Sequence, residues 1–121
     1  MLTLPRKRML KRRSDFQKVY RSGHSFANRY FVLYVFRLPK GEKRLSGRVA
    51  FAAGKKLGCA VVRNRVKRLL REAYRQHQHE LAGGAALLLV GRRGAVKASG
   101  TEVERSFMRV ARKAGIVRED G

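Results

Sequence analysis

The chain has one cysteine, Cys59, no tryptophan and two prolines among 121 residues. A single thiol forms no intramolecular disulfide, so no cross-linked framework holds the fold, and a reducing cytoplasm suits it. Cys59 itself is expected to be a small half-buried residue rather than a reactive thiol. No window approaches the ~18 consecutive apolar residues of a membrane span. The opening "MLTLPRKRMLKRRS" is basic but lacks the apolar run of a secretory signal. Catalytic constellations are missing too. His24, His77 and His79 have no cysteine or carboxylate at metal-ligand spacing, and "GKKLG" lacks the spacing of a phosphate-binding loop. No catalytic residue and no metal site is expected on this protein.

Carboxylates are the scarcest resource: 8 Asp and Glu face 30 Lys and Arg, for a formal net charge of +22. Such a surplus destabilises the compact state through self-repulsion, and an extended polyanion relieves it best. Nucleic acid is the first candidate and an anionic membrane surface the second. The cations fall on several segments, which favours a partner that wraps much of the surface. The apolar content is ordinary, so the chain should form one domain with a core of its own.

Residues 1–13 hold Arg6, Lys7, Arg8, Lys11, Arg12 and Arg13 with little periodicity and read as a basic arm. Residues 14–115 read as the domain and 116–121 as a frayed tail. A short helix should follow the arm, with Ser14 and Gln17 in capping-box spacing, Gly23 as its stop, and Phe16, Val19 and Tyr20 on one face. Strands are expected over 25–28, 30–37 and 48–54. A long helix is expected over 63–81, ended by Gly83 and Gly84. "AALLLVG" is a buried strand and "RRGAVKASG" a basic loop. The last helix should start with Thr101 and Glu104 in capping-box spacing and stop at Gly115. This order describes an α+β sandwich, helices packed on a small sheet. βαβ units normally cross right-handed, and the periodicity alone gives no reason to expect otherwise.

On the long helix, Val66, Leu69, Leu70, Ala73, Tyr74, His77 and Leu81 share one side. Asn64, Arg68, Arg71 and Arg75 line the other. A solvated face normally mixes signs, and like charges at helical spacing repel, so this guanidinium stripe points to phosphates. In "YFVLYVFR", alternation sets Phe31, Leu33 and Val35 against Tyr30, Val32, Tyr34 and Phe36. Either helices cover both faces of the sheet, or the tyrosine-bearing face stays open to stack single-stranded nucleic acid.

"RNRVKRLLRE" together with "SDFQKVYRSGHSFANRYFVLY" and "GKKLG" resembles the protein component of bacterial ribonuclease P, over most of the chain. The resemblance implies an αβββαβα two-layer sandwich with a left-handed βαβ crossover. It implies a subunit of an endoribonuclease that binds a catalytic RNA and helps remove the 5′ leader of precursor tRNA. The chemistry would belong to the RNA and to magnesium bound mainly by it, in the cytoplasm, with no membrane and no protein partner. Carried over, Arg63, Asn64, Arg65, Lys67, Arg68, Arg71 and, on the same stripe, Arg75 would bind the catalytic RNA. Phe16, Tyr20, Val32, Tyr34 and Lys55 would bind the leader. Ala52 and Gly54 stand where the family commonly has serine, and Cys59 and Val62 where it often has Asn and Lys. The rival expectation is a ribosomal-type RNA-binding protein or RNA chaperone with no part in a processing enzyme.

Overall fold

The computed structural model describes residues 9–118 apart from Lys11. Its order is α1 (Arg13–Ser22), β1 (His24–Ala27), β2 (Phe31–Arg37), β3 (Val49–Ala53), α2 (Ala60–His77), β4 (Ala85–Gly91) and α3 (Gly100–Ala114). The strands form one mixed sheet in the order β1-β2-β4-β3. β1–β2 and β2–β4 are antiparallel, whereas β3 and β4 are parallel and joined through α2.

Period-two alternation decides which side chain meets which layer. Phe31, Leu33 and Val35 of β2, with Val49 of β3 and Leu87 and Leu89 of β4, face α2 and α3. Those helices return Val66, Leu70, Ala73, Tyr74, Val103, Phe107 and Ala111 to the same core. The opposite face holds Ala50, Ala86 and Leu88, which meet Val19 of α1 and Leu45 of the β2–β3 connection. The α+β architecture and its order of elements are as expected. Beyond a two-layer sandwich, α1 lies against the second face, over β2 and β4.

Several boundaries differ from the sequence expectation, each for a local reason. α1 begins at Arg13, so Ser14 lies inside the helix and caps nothing, while Gly23 does close it, its N–H donating to Val19 O. α2 starts at Ala60, earlier than residue 63, because a short 3-10 turn (Lys55–Leu57) delivers Cys59 to the N-cap. Cys59 is exposed there, not half-buried. α2 ends at His77 and a 3-10 turn (Gln78–Glu80) completes the run to Leu81. In α3 the capping box belongs to Ser99 and Glu102 rather than Thr101 and Glu104; Gly115 closes it in the left-handed region, φ 74°.

Tyr30 departs from its predicted face. It precedes β2, packs on the α2/α3 side, and its hydroxyl donates to Glu102 Oε2 at 3.1 Å. Asn28 causes this by accepting the backbone N–H groups of Tyr30 and Phe31 at 2.8 and 2.9 Å, which turns the chain before the strand begins. Residues 116–118, expected to fray, are held. Ile116 is buried, Val117 bridges Leu81, and Arg118 N–H donates to Glu80 O at 2.7 Å. Met9 and Leu10, within the expected arm, lie along β3: Met9 bridges Val49 and Leu10 N–H donates to Val49 O. The rest of that arm, residues 1–8 and 11, lies outside the described residues, as does 119–121.

Candidate nucleic-acid interface

The site begins with the register. Ala27, Val32, Val90 and Ala52 stand side by side across the four strands on the α1 face, and Ser25, Tyr34, Leu88 and Ala50 form the next row. Leu88 and Ala50 are buried beneath α1, whereas Val32, Val90 and Ala52 are only half-buried. The second face is thus neither fully covered nor fully open. A trough remains along its last row, and small residues on β3 and β1 deepen it.

Aromatic side chains wall the trough from above. Phe16 of α1 is half-buried on the second core, and Tyr20, one turn further, is 52% exposed. The Tyr20 and Tyr34 rings lie 5.0 Å apart at a tilt of 41°, a separation at which aromatic pairs attract. Burial, and then the neighbouring Tyr20, push the Tyr34 phenol above its ordinary value, so it stays neutral at physiological pH. Lys18 sits over the Phe36 ring at 5.8 Å. Lys55 is exposed just beyond the end of β3. Of the predicted leader residues, the structure brings Phe16, Tyr20, Val32 and Tyr34 to one face of the sheet, with Lys55 past its rim.

Asp15, buried on α1, receives both terminal nitrogens of Arg44 at 2.9 and 3.0 Å. That bidentate hydrogen bond holds its carboxyl below the ordinary range against the opposing effect of burial. The pair ties the β2–β3 connection to α1 and so fixes the helix that walls the trough.

The motif helix lies on the other side of the sheet. Its core seam is as predicted, with Val66, Leu70, Ala73 and Tyr74 buried; Leu69 and His77 are half-buried. Gly91 lets it sit low on β4: a Cβ at that position would lie 2.4 Å from Val66 Cγ1. Asn64 and Arg68 are exposed, and Lys67 is half-exposed. Arg71 is exposed but lies 5.8 Å from the Phe51 ring, near enough for a cation–π contact. Arg63 is half-buried, with Nε buried and without a hydrogen bond. Arg75 donates twice to Glu72 Oε2, at 3.1 and 2.7 Å, so this cation is partly neutralised. At the helix start, the N–H groups of Val62 and Val61 hold the exposed Cys59 thiol below its ordinary value.

Arg65 behaves unlike the rest of the motif. Its guanidinium donates to the carbonyls of Val96 and Ala98, the latter at 3.1 Å, with Ala95 O at 3.5 Å. The side chain turns into the β4–α3 connection. No periodicity distinguishes this arginine from its neighbours, since its acceptors are backbone atoms 30–33 residues away. His77 was also expected only to pack; it bridges Glu80 and Glu104 instead.

Both regions meet at one end of the sheet. β3 and β4 run toward it and β2 starts from it, so Arg29, Lys55, Lys56, Arg92 and Arg93 follow or precede strands there. α2 also begins from that end. The arrangement offers stacking surface on one face, guanidinium groups on the other, and cations on the rim between them. Among the described residues no group of three or more His, Cys, Asp or Glu side chains could hold a metal ion. No helix among them is long and apolar enough to cross a membrane.

A family model described as Ribonuclease P matches residues 4–115. The ribonuclease P protein component of Bacillus velezensis is 40% identical over 116 residues, covering 96% of this chain and 97% of that one. The corresponding protein of Natranaerobius thermophilus is 38% identical over 112 residues, covering 92% and 93%. Among solved structures, a Staphylococcus aureus RNase P protein superposes with a TM-score of 0.77 at 31% identity, covering 92% of this chain and 98% of that one. The RNase P protein of Thermotoga maritima superposes at 0.72 with 22% identity, covering 87% and 96%, a likeness of fold.

Proposed function

The chain belongs to the ribonuclease P protein family and is a subunit of that endoribonuclease, acting with the catalytic RNA and precursor tRNA, and from that premise we propose how its two faces divide the work. The exposed side of α2, through Arg63, Asn64, Lys67, Arg68 and Arg71, lies against the catalytic RNA; Arg75, already shared with Glu72, contributes less. The trough lined by Phe16, Tyr20, Val32 and Tyr34, with Lys55 at its rim, takes the single-stranded 5′ leader of precursor tRNA. Arg65, exposed but bonded to the β4–α3 backbone, acts as a brace.

The observation that carries this reading is the shared end of the sheet. A leader lying along the half-buried row on the α1 face crosses the strands beside the end from which α2 begins. The cleavage junction and the catalytic RNA can therefore meet beside the motif without the protein contributing a reacting group. Phosphates arriving at α2 relieve the repulsion among its arginines, and an acceptor drawn against Arg63 would satisfy a guanidinium otherwise short of partners. With the N-terminal arm included, about 6 neutralised phosphates would give a log–log salt slope near −5 for assembly.

The magnesium that the family resemblance implies finds no cage among the described residues. In this reading RNA phosphates hold it, and the protein's part is to lower the charge density that the ion must otherwise screen. A cytoplasmic location belongs to the same reading.

The test uses reconstituted holoenzyme. Each well-stacked base is worth ~1–3 kcal/mol. Tyr34→Ala should therefore weaken precursor tRNA binding by about 5-fold to about 150-fold, with mature tRNA binding unchanged. Equal weakening of both would remove the leader from the trough.

A further inference from the structure

We propose that the basic connection between β4 and α3, together with Arg29 beside it, is a second docking site for the phosphate backbone of the catalytic RNA. Arg65 of the motif is the positioning residue that holds it. The inference rests on the reading that the catalytic RNA lies on the α2 side of the protein.

Four cations and one carboxylate define the place. Arg29, Tyr30, Arg92, Arg93, Lys97 and Glu102 line a shallow trough of about 430 Å³. Glu102 is already committed. It accepts from the Tyr30 hydroxyl at 3.1 Å and from the Ser99 hydroxyl at 3.1 Å, within the α3 capping box. Arg93 and Lys97 are exposed, and their side chains make no hydrogen bond or ion pair among the described residues. Arg29 is exposed too, close enough to Glu102 for the two charges to attract.

The backbone that presents these cations is fixed rather than loose. Arg92 N–H donates to Tyr30 O at 2.8 Å and Arg92 Nη1 to Asn28 O at 2.9 Å, which staples the connection to the β1–β2 turn. A 3-10 turn (Arg93–Ala95) follows, and Ala95 and Ala98 are buried in the main core. Gly94 passes so close to Arg29 that a Cβ there would lie 2.3 Å from the Arg29 carbonyl oxygen. Arg65 then closes the clamp from α2 by bonding the Val96 and Ala98 carbonyls.

Two consequences favour a ligand. Cations on a fixed backbone lose less conformational freedom on binding than cations on a free loop. And like charges brought together by dedicated hydrogen bonds repel one another until an anion arrives. Position selects the partner. Ala95, Ala98 and Tyr30 belong to the α2/α3 core, opposite the face where the leader trough lies. An RNA backbone resting on α2 is therefore the polyanion within reach. The motif's second arginine would bind no phosphate itself but would hold a second set of cations that do.

The experiment measures assembly of the full-length protein with catalytic RNA against salt, beside precursor and mature tRNA binding by the holoenzyme. Each phosphate contact removed should lower the salt slope by about 1. Arg29→Gln/Arg93→Gln/Lys97→Gln should thus lower it by about 2 to 3 and leave the precursor-to-mature affinity ratio unchanged. An unchanged slope overturns the proposal, as does a loss of that ratio with normal assembly, which would assign the site to the substrate leader. Arg68→Gln serves as the control for the premise: if it too leaves assembly unchanged, the reading of α2 fails, and if it alone weakens assembly, only the second site fails. Arg65→Lys keeps the charge but not the fork. It should weaken assembly and speed amide exchange over residues 95–99, and native values of both would refute the positioning role.

Discussion

His77 stands between two carboxylates, with Nδ1 against Glu80 and Nε2 2.9 Å from Glu104 Oε1. The Gln76 amide also donates to Glu104 at 3.2 Å, so the end of α2 is tied to the first turns of α3. Partial burial alone would lower the imidazole pKa, but the hydrogen bonds and charges of the two glutamates outweigh it, and the net shift is upward. A raised folded-state pKa contributes stability that is fully present below the ordinary histidine value and is lost as pH rises through the folded one. The thermal midpoint should therefore fall as pH is raised from about 6 to about 8. In His77→Gln that dependence should flatten, which differential scanning calorimetry across pH would record. A lone histidine on an apolar face gave no hint of this in the sequence. Glu80 is three residues along, but Glu104 arrives only when α3 packs.

At the scale of elements, the readable features were those set by local chemistry. Strand alternation placed Phe31, Leu33 and Val35 on the core face, and the seam of α2 was drawn from spacing that the fold keeps. What stayed hidden depended on contacts distant in sequence. Nothing near Ser99 separates it from Thr101 as a cap until the β4–α3 connection is pinned, and Cys59 becomes an N-cap only because a 3-10 turn precedes it. Tyr30 left its predicted face because the Asn28 side chain turns the backbone first. Gly91 belongs to the hidden class as well, for it permits the close seat of α2 on β4. Gly91→Ala should cost about 1–3 kcal/mol in urea unfolding through overpacking against Val66. The penalty should shrink in a Val66→Ala background, since the clashing methyl is then gone. A double-mutant cycle with no coupling would show that Val66 is not the obstacle.

At the scale of the whole molecule, a charge of +22 and the family were legible before any coordinates, but the layout of that charge was not. The motif looked like a single binding strip. In the folded chain Arg65 serves the backbone and Arg75 is shared with a glutamate, while cations from three other segments gather at the same end of the sheet. Self-repulsion on this scale should make the free protein more stable as salt rises, because exposed charges are screened over ~10 Å at 0.1 M. A thermal midpoint that climbs between low and moderate ionic strength is the expected reading, and a flat one would mean that the cations are already compensated internally.

One further consequence follows from Met9 and Leu10, which lie along the outer side of β3. An unpaired strand margin invites another polypeptide to add itself, the route by which small β-containing proteins self-associate and precipitate. Here the chain occupies part of that margin with its own first described residues. Trimming the N-terminus past Leu10 would thus do more than subtract positive charge: it would uncover a template for intermolecular strand pairing, and the shortened protein would be prone to aggregate.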